Sequence, residues 1–272
     1  MTTTAAPEPA AEATVATDRI TVALGEYDIG WHDPAASIAA ADRLVERVAA
    51  VGVDLVVLPE MSTTGFTMDS SRAVSLDSPD VAGIRQIATR HRVWVIAGVA
   101  ARAAGPQSPA VNAALAINPS GEIVATHFKR RLFAYSGEDK SYTSGDKVTT
   151  VEIDGVRIGM FICYELRFPE VFAPVAAGVD AMVVIANWPA SRQEHWDTLL
   201  RARAIENQCF VIGVNRTGTA NGLAYSGGSV VYDAWGDRVS SALTGGVRVA
   251  TIQASHARDI RARYPFLRDR QI

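Results

Sequence analysis

The chain has 272 residues, of which 48% are hydrophobic and 20% are charged, enough apolar material for one large core. Its net charge of −3 gives no general attraction to nucleic acid or to an anionic membrane surface, so neither partner is expected. No apolar stretch approaches the roughly 20 residues that a membrane-spanning helix needs.

The N-terminal residues differ in composition from the rest of the chain. Residues 1–18 are rich in Ala, Thr, Pro and Glu, with neither the basic start nor the apolar segment of a secretory signal. We expect a disordered tail there, followed by a single domain over 19–272. The two cysteines, Cys163 and Cys209, are far apart in sequence, which argues against a disulfide framework and favours a reducing cytoplasm.

Strand and helix patterns alternate along the domain without a linker-like break. The first half predicts strands over 19–24, 54–58, 93–98, 111–117 and 123–127, helices over 34–51 and 80–91, and a turn over 118–121. The second half predicts strands over 156–162, 181–185 and 210–214, helices over 169–177 and 194–208, further strands up to 252, and a basic extension from 254. This alternation indicates an α/β fold.

Cys163 lies where the strand over 156–162 ends and a turn leads into a helix. Such a turn lifts a side chain out of the sheet and leaves backbone N–H groups free to stabilise an oxyanion. The partial positive charge of a helix start also favours a thiolate, so Cys163 is a candidate nucleophile. A lone cysteine is more often a small buried hydrophobe, which is how we interpret Cys209 in the apolar segment 208–214.

Glu60 and Lys129 each follow a predicted strand. The apolar run over 54–58 ends at Pro59, so Glu60 is the first ionisable group past that strand, where ligands of open α/β sheets gather. Lys129 follows the strand over 123–127 and is one of only three lysines among 26 basic residues. Because the chain otherwise uses arginine, this lysine indicates a need for a compact ammonium donor. Ordinary surface charge is the alternative for both residues.

Together these segments resemble the nitrilase, or carbon–nitrogen hydrolase, superfamily, whose catalytic set is a glutamate, a lysine and a cysteine in that order. The resemblance covers residues 19–252, essentially the whole globular part. Its motifs are Leu58-Pro59-Glu60 with Thr64-Gly65-Phe66, Lys129-Arg130-Arg131-Leu132-Phe133, and Cys163-Tyr164-Glu165-Leu166-Arg167-Phe168-Pro169-Glu170.

The resemblance implies a four-layer α-β-β-α sandwich and an amidase mechanism. Cys163 would attack the amide carbon, Glu60 would move the protons, and Lys129 with the backbone N–H of Tyr164 would hold the oxyanion. Glu138 lies in a polar loop similar to the one that carries an additional glutamate in many amidases. We expect it to position the substrate or the other catalytic groups.

The resemblance further implies a homodimer or higher homo-oligomer and a reaction without metal or organic cofactor. The histidines agree with the absence of a metal site, because they are scattered without the spacing of metal ligands. They are His32, His91, His127, His195 and His256.

Within the superfamily the sequence is most similar to the omega-amidases, which hydrolyse the side-chain amide of 2-oxo acids derived from glutamine and asparagine. True nitrilases usually have Trp after the nucleophile, whereas this chain has Tyr164, which favours amides over nitriles. The segments that resemble the omega-amidase branch are Asn187-Trp188-Pro189-Ala190, His195-Trp196 and residues 201–208.

A 2-oxo acid monoamide carries a carboxylate at the end remote from the amide, so a cation should meet it, preferably a bidentate arginine. Arg192 is the first candidate and Arg167 the second. Phe66, Tyr135 and Trp188 are the candidates for an apolar wall.

Three alternatives remain from the sequence. The first is an amidase of other specificity, acting on deaminated glutathione or a simple aliphatic amide. The second is an N-carbamoyl amidohydrolase. The third is a binding protein of the same fold without turnover, which fits poorly with a complete set of Glu60, Lys129 and Cys163.

Overall fold

The computed structural model describes residues 18–242 and 246–271, so the expected tail lies outside the described residues except for Asp18. The strands are β1 (Arg19–Leu24), β2 (Leu55–Val57), β3 (Val74–Ser75), β4 (Trp94–Arg102), β5 (Val111–Ile117), β6 (Ile123–Phe128), β7 (Thr150–Ile153), β8 (Val156–Ile162), β9 (Ala181–Ala186), β10 (Phe210–Asn215), β11 (Thr217–Ala220), β12 (Leu223–Ser226), β13 (Val230–Tyr232), β14 (Ser241–Ala242) and β15 (Arg248–Gln253). The α-helices are α1 (Pro34–Ala49), α2 (Pro79–His91), α3 (Glu138–Ser141), α4 (Pro169–Phe172), α5 (Gln193–Asn207) and α6 (Ala254–Arg263).

Two mixed sheets form the centre of the fold. The first has the strand order β14-β15-β1-β2-β4-β5-β6, with β3 beside β4, and the second has the order β13-β10-β9-β8-β7. Strands β1, β2 and β4 run parallel, as do β8, β9 and β10. A hairpin of β11 and β12 stands apart from both sheets.

The alternation of side chains along the strands explains how the sheets pack. Val22 and Leu24 of β1 share a buried cluster with residues of the second sheet, whereas Ala23 between them contacts the cluster under α1 and α2. Helix α5 covers the far side of the second sheet with Trp196 and Leu200. The layers therefore run helix, sheet, sheet, helix, and the four-layer sandwich implied by the family resemblance is confirmed.

Most predicted elements are present within a residue or two of their expected bounds, and the two long helices of the first half have clear start signals. Asp33 caps α1 by accepting from the backbone N–H of Ala36 at 2.9 Å, and Ser78 caps α2 in the same way. In both helices a proline occupies the first turn. A backbone N–H at that position would have no intrahelical acceptor, so the N–H that proline lacks removes no hydrogen bond. Within the described residues, no helix is long and apolar enough to cross a bilayer.

One expectation for the second half is wrong, and the basic extension forms an element that the sequence did not assign. The single helix expected over 169–177 is a short α4 followed by a 3₁₀ helix, Ala173–Gly178, because Pro174 has no N–H to continue the α-helical ladder. The basic segment from 254 forms the helix α6. It is held to the second sheet by Arg258, which pairs with the buried Asp180 at 2.8 Å.

Strand direction explains where the polar groups collect. Since β5 runs antiparallel between β4 and β6, strands β2, β4 and β6 all end at the same edge of the first sheet. Glu60 follows β2, and Lys129 follows β6. Cys163 and Asn187 follow the parallel strands β8 and β9 of the second sheet. The two facing sheets thus deliver four polar side chains to one end of the sandwich.

Candidate active site

Glu60, Lys129 and Glu138 form one buried cluster. The Nζ atom of Lys129 lies 2.8 Å from Glu60 Oε1 and 3.0 and 2.9 Å from the two carboxylate oxygens of Glu138. All three side chains are fully buried. Glu60 can approach strand β4 closely because Gly98 faces it, and a Cβ atom at Gly98 would lie 2.5 Å from the Cα of Glu60. The structure therefore brings these three sequence-predicted residues together.

Lys129 supplies the positive charge that stabilises the two buried carboxylates of Glu60 and Glu138. Burial lowers the pKa of its ammonium group, but the carboxylates of Glu138 and Glu60 outweigh burial and leave the pKa above its usual range. Lys129 is therefore charged at any physiological pH. The ring of Phe66 lies 5.1 Å from Nζ and adds a cation–π contact.

Two asparagines that the sequence reasoning did not single out as site residues complete the hydrogen bonding of Glu60. Asn112 Nδ2 donates to Glu60 Oε1 at 2.8 Å, and the backbone N–H of Asn187 donates to Glu60 Oε2 at 2.9 Å. The only signal for Asn112 was a polar residue in the otherwise apolar strand β5. Asn187 belongs to the segment that resembles the omega-amidase branch, but the sequence assigns it no role in the site.

Cys163 begins a 3₁₀ helix, Cys163–Arg167, directly after β8. Its φ of 47° lies in the left-handed region, which is uncommon for a residue with a side chain and is often retained at functional turns. The side chain is 9% exposed and lines a pocket. The first N–H groups of a helix have no intrahelical acceptor, so the Tyr164 N–H is available beside the sulfur.

The expectation that the helix start favours a thiolate is wrong for this chain. Burial raises the pKa of the Cys163 thiol well above its ordinary value, and the nearby Glu60 carboxylate raises it further. Lys129 acts in the opposite direction without overcoming these two effects. The 3₁₀ helix is only five residues long, so its dipole is small. Cys163 is therefore a thiol at neutral pH, and it would need a base to act as a nucleophile.

This protonation state leads to a spectroscopic prediction. The thiolate absorbance of the wild type minus that of Cys163→Ala should stay flat from pH 6 to about pH 9, where an ordinary thiol is half ionised. The raised pKa places ionisation of Cys163 above that range. Cys209 does not interfere, because burial raises its pKa to about 12. A difference band already present at about pH 7 would contradict the buried-thiol description.

Glu165 ties the cysteine turn to the lysine segment. One carboxylate oxygen accepts from the backbone N–H of Ile162 at 2.6 Å and lies 3.0 Å from His127 Nε2, and the other accepts from the backbone N–H of Arg130 at 3.0 Å. Both Glu165 and His127 are fully buried. The sequence carries no capping signal here, because Ile162 at the N-cap position has no side-chain acceptor. Nor does the sequence show the link between Glu165 and residue 130.

A pocket of about 320 Å³ opens above Cys163. Six of its fifteen described lining residues are aromatic, and none is Asp or Glu. The lining residues are Phe66, Met68, Phe133, Tyr135, Ser136, Cys163, Tyr164, Arg167, Asn187, Trp188, Pro189, Arg192, Asn221, Leu223 and Tyr225.

All five predicted substrate-binding residues line this pocket, at different depths. Trp188 is buried, and its indole N–H donates to the carbonyl oxygen of Arg192 at 2.8 Å, which fixes the turn that carries that arginine. Phe66 lies next to Lys129. Tyr135 is 91% exposed and lines the pocket at its rim.

Arg167 and Arg192 are held by aromatic rings and not by carboxylates. The guanidinium of Arg167 lies 4.8 Å from the Trp188 ring centre and contacts His195, and that of Arg192 lies 5.6 Å from the ring centre of Phe133. Within the described part of the chain, neither arginine forms an ion pair. Both are half-buried. The pocket thus presents two oriented cations whose charge no neighbouring side chain neutralises.

The described residues contain no group of three or more His, Cys, Asp or Glu side chains arranged to hold a metal ion. Both cysteines are free thiols. Cys209 is fully buried, as expected of a core residue. The chemical groups assembled below the pocket are a thiol, two carboxylates and an ammonium.

Comparisons with known proteins agree with this geometry. Residues 21–262 match the family model described as carbon-nitrogen hydrolase. The omega-amidase YafV of Escherichia coli strain K12 is 38% identical over 224 residues, which cover 81% of this chain and 84% of that protein. The 2-oxoglutaramate amidase of Paenarthrobacter nicotinovorans is 36% identical over 242 residues, which cover 84% of this chain and 82% of that protein.

A solved structure supports the same assignment. XC1258 from Xanthomonas campestris, described as a CN-hydrolase superfamily protein with an arsenic adduct in the active site, superposes with a TM-score of 0.84. It is 36% identical, and the match covers 93% of this chain and 98% of that one. As the sequence motifs predict, the chain belongs to the carbon–nitrogen hydrolase family.

Proposed function

We propose that this protein hydrolyses the omega-amide of a small 2-oxo acid, such as 2-oxoglutaramate or 2-oxosuccinamate, and releases ammonia. The observation that carries the proposal is the pair Arg167 and Arg192, which line the pocket above Cys163 without a carboxylate partner. A substrate carboxylate would supply that partner. The names of the relatives with 36–38% identity, an omega-amidase and a 2-oxoglutaramate amidase, support the same substrate class.

The first half of the reaction forms a thioester. Glu60 takes the proton of the Cys163 thiol as the sulfur attacks the amide carbon, and the carbonyl oxygen becomes an oxyanion. Lys129 and the backbone N–H of Tyr164 donate hydrogen bonds to that oxygen. When the carbon–nitrogen bond breaks, Glu60 returns the proton to the departing nitrogen, and ammonia leaves.

The second half releases the acid. Glu60 takes a proton from a water molecule as the water oxygen attacks the thioester carbon, and the carbon–sulfur bond breaks. The sulfur recovers a proton from Glu60, which restores the resting thiol. Glu138 contacts Lys129 through both oxygens and holds the ammonium group in place throughout. No step in this sequence requires a metal or an organic cofactor.

The proposal predicts strong discrimination between charged and neutral amides. Ammonia release from 2-oxoglutaramate and 2-oxosuccinamate should exceed that from hexanamide or acetamide by on the order of 100-fold in kcat/KM, because each charge-assisted hydrogen bond contributes about 1.5–3 kcal/mol. The measurement is steady-state ammonia release over this panel. Faster turnover of the neutral amides would contradict the omega-amidase assignment and leave the Cys163 mechanism standing.

Variants of the two arginines test which one meets the carboxylate. Arg192→Gln or Arg167→Gln should raise KM for the 2-oxo substrates and leave hexanamide hydrolysis nearly unchanged. Arg131→Gln is the matched control, because Arg131 is a partly exposed arginine outside the pocket lining that lies 3.8 Å from Glu170. The control should leave both substrate classes unaffected.

The same panel separates the other candidate functions. An N-carbamoyl amidohydrolase would prefer ureido substrates and release carbon dioxide together with ammonia. An amidase of other specificity would prefer deaminated glutathione or aliphatic amides. A non-catalytic protein would release no ammonia from any of them.

We also propose that the protein works in the cytoplasm as one domain over 19–272 that assembles into a homodimer or higher homo-oligomer. The unpaired thiols of Cys163 and Cys209 support a reducing compartment. The family resemblance supports assembly, and Trp235 and Phe266 expose 52% and 60% of their surfaces. Light scattering of the purified protein and cell fractionation test these points.

A further inference from the structure

Asn112 lies between the two buried carboxylates of the site. Its Nδ2 atom is 2.8 Å from Glu60 Oε1 and also 2.8 Å from Glu138 Oε1, so the two hydrogens of one amide group serve both carboxylates. The residue is fully buried on β5. Its backbone carbonyl accepts from the N–H of Lys129 at 2.9 Å, which links it to the third member of the cluster.

The chemistry of its neighbours determines which way this amide points. Placing Oδ1 toward Glu60 and Glu138 would set an acceptor against two carboxylates, so the nitrogen must face them. The oxygen then points away, and Asn112 Oδ1 has no hydrogen-bond partner among the described residues. An unsatisfied buried oxygen has a cost in stability. The two charge-assisted hydrogen bonds that Nδ2 donates offset this cost.

Asn112 also affects what Lys129 can do. An ammonium group has three N–H donors, and Lys129 directs them at Glu60 and at the two oxygens of Glu138. A developing oxyanion must take over one of these donors. Because Asn112 continues to donate to Glu60 Oε1 and Glu138 Oε1, Lys129 can turn a donor toward the substrate without leaving either carboxylate unpaired.

We propose that Asn112 is a positioning residue that keeps Glu60 aligned as the general base, by sharing one amide group between two buried carboxylates. The inference rests on the proposed role of Glu60. It assigns to Asn112 an effect on proton transfer, through Glu60, and no contact with the substrate.

The other charged and titratable groups around Glu60 are known from the structure. Lys129, Glu138 and Cys163 face it, and the hydroxyl groups of Tyr142 and Tyr225 lie near enough to feel its charge. Loss of the Asn112 donors leaves Glu60 Oε1 with Lys129 as its donor, so the carboxylate is held less firmly beside Cys163.

The test compares Asn112→Asp and Asn112→Ala with the wild type on the best amide substrate. Asn112→Asp keeps the shape and replaces the donor by an oxygen of a third carboxylate, and Asn112→Ala removes the group. We expect kcat to fall about 10-fold or more, with a smaller change in KM. Asn207→Asp is the matched control, since Asn207 is a buried, hydrogen-bonded asparagine remote from the site.

A second measurement needs no substrate. Alkylation of Cys163 by iodoacetamide, followed by mass spectrometry across pH, depends on Glu60 accepting the thiol proton, and buried Cys209 serves as the internal reference. Both Asn112 variants should react more slowly than the wild type at neutral pH. If the wild type is alkylated normally but hydrolyses no amide, the proposed function fails and the Asn112 inference can still be judged.

Three results would overturn the inference. One is a kcat and an alkylation rate that do not change in a folded Asn112→Ala variant. Another is an equal loss of kcat and alkylation rate in Asn207→Asp. The third is failure of both Asn112 variants to fold, because Asn112 would then be a structural residue first.

Discussion

Cys163→Ala should abolish amide hydrolysis while the protein stays folded. The variant loses the only group in the pocket that can form a thioester, and the vacated space adjoins the pocket, so little core volume is lost. The loss of kcat should reach several orders of magnitude, as when other covalent nucleophiles are removed. Ammonia release and circular dichroism are the measurements.

Cys209→Ala is the control for that experiment. Cys209 is fully buried and belongs to the main apolar cluster. Its truncation should leave kcat unchanged and reduce the free energy of unfolding by about 1 kcal/mol or more. Full activity in a folded Cys163→Ala variant would remove the nucleophile assignment.

Lys129→Arg should be nearly as damaging as Lys129→Ala, with a loss on the order of 10²-fold or more in kcat. Lys129 is fully buried and contacts two carboxylates within 3.0 Å, so a longer planar guanidinium cannot occupy the same place. Lys129→Ala additionally leaves the carboxylates without their cation, which costs about 3–5 kcal/mol for a broken buried pair. The arginine variant keeps the charge and isolates the geometric requirement.

The control for Lys129→Arg is Lys140→Arg, because Lys140 lies exposed on α3. That variant should keep both its rate and its melting temperature. If Lys129→Arg retained most of the wild-type rate, Lys129 would be reassigned from oxyanion donor to supplier of general positive charge.

Much of the fold could be predicted because its strands are buried on both faces. The strand β9 has no polar residue, β8 has only Arg157 near its start, and each strand ends where a residue of the candidate site follows. The rule that ligands collect beyond the carboxyl ends of parallel strands then selects Glu60 and Cys163. Lys129 is selected as a third candidate because lysine is scarce in this chain, which points to a need for an ammonium donor; the hydrophobic pattern of the strands does not select it.

The remaining features depend on contacts between distant segments. In the sequence, Asn112 is only one polar residue in an apolar strand. Its role becomes visible in the structure, where its Nδ2 atom lies 2.8 Å from carboxylate oxygens of both Glu60 and Glu138. The raised pKa of Cys163 follows from burial between two sheets, whereas local sequence indicated a helix start and thus a thiolate. The placement of the arginines is equally nonlocal, because only the fold shows that Arg167 and Arg192 line the pocket beside Trp188 and Phe133.

The central claim is that the amide carbon becomes bonded to the sulfur of Cys163. Rapid quenching of wild-type protein during turnover of 2-oxoglutaramate, followed by peptide mass spectrometry, tests it directly. The account predicts that the peptide containing Cys163 carries the acyl group of the substrate, that hydroxylamine removes this group, and that Cys163→Ala shows no adduct. Ammonia release without acylation of Cys163, or acylation at another residue, would contradict it.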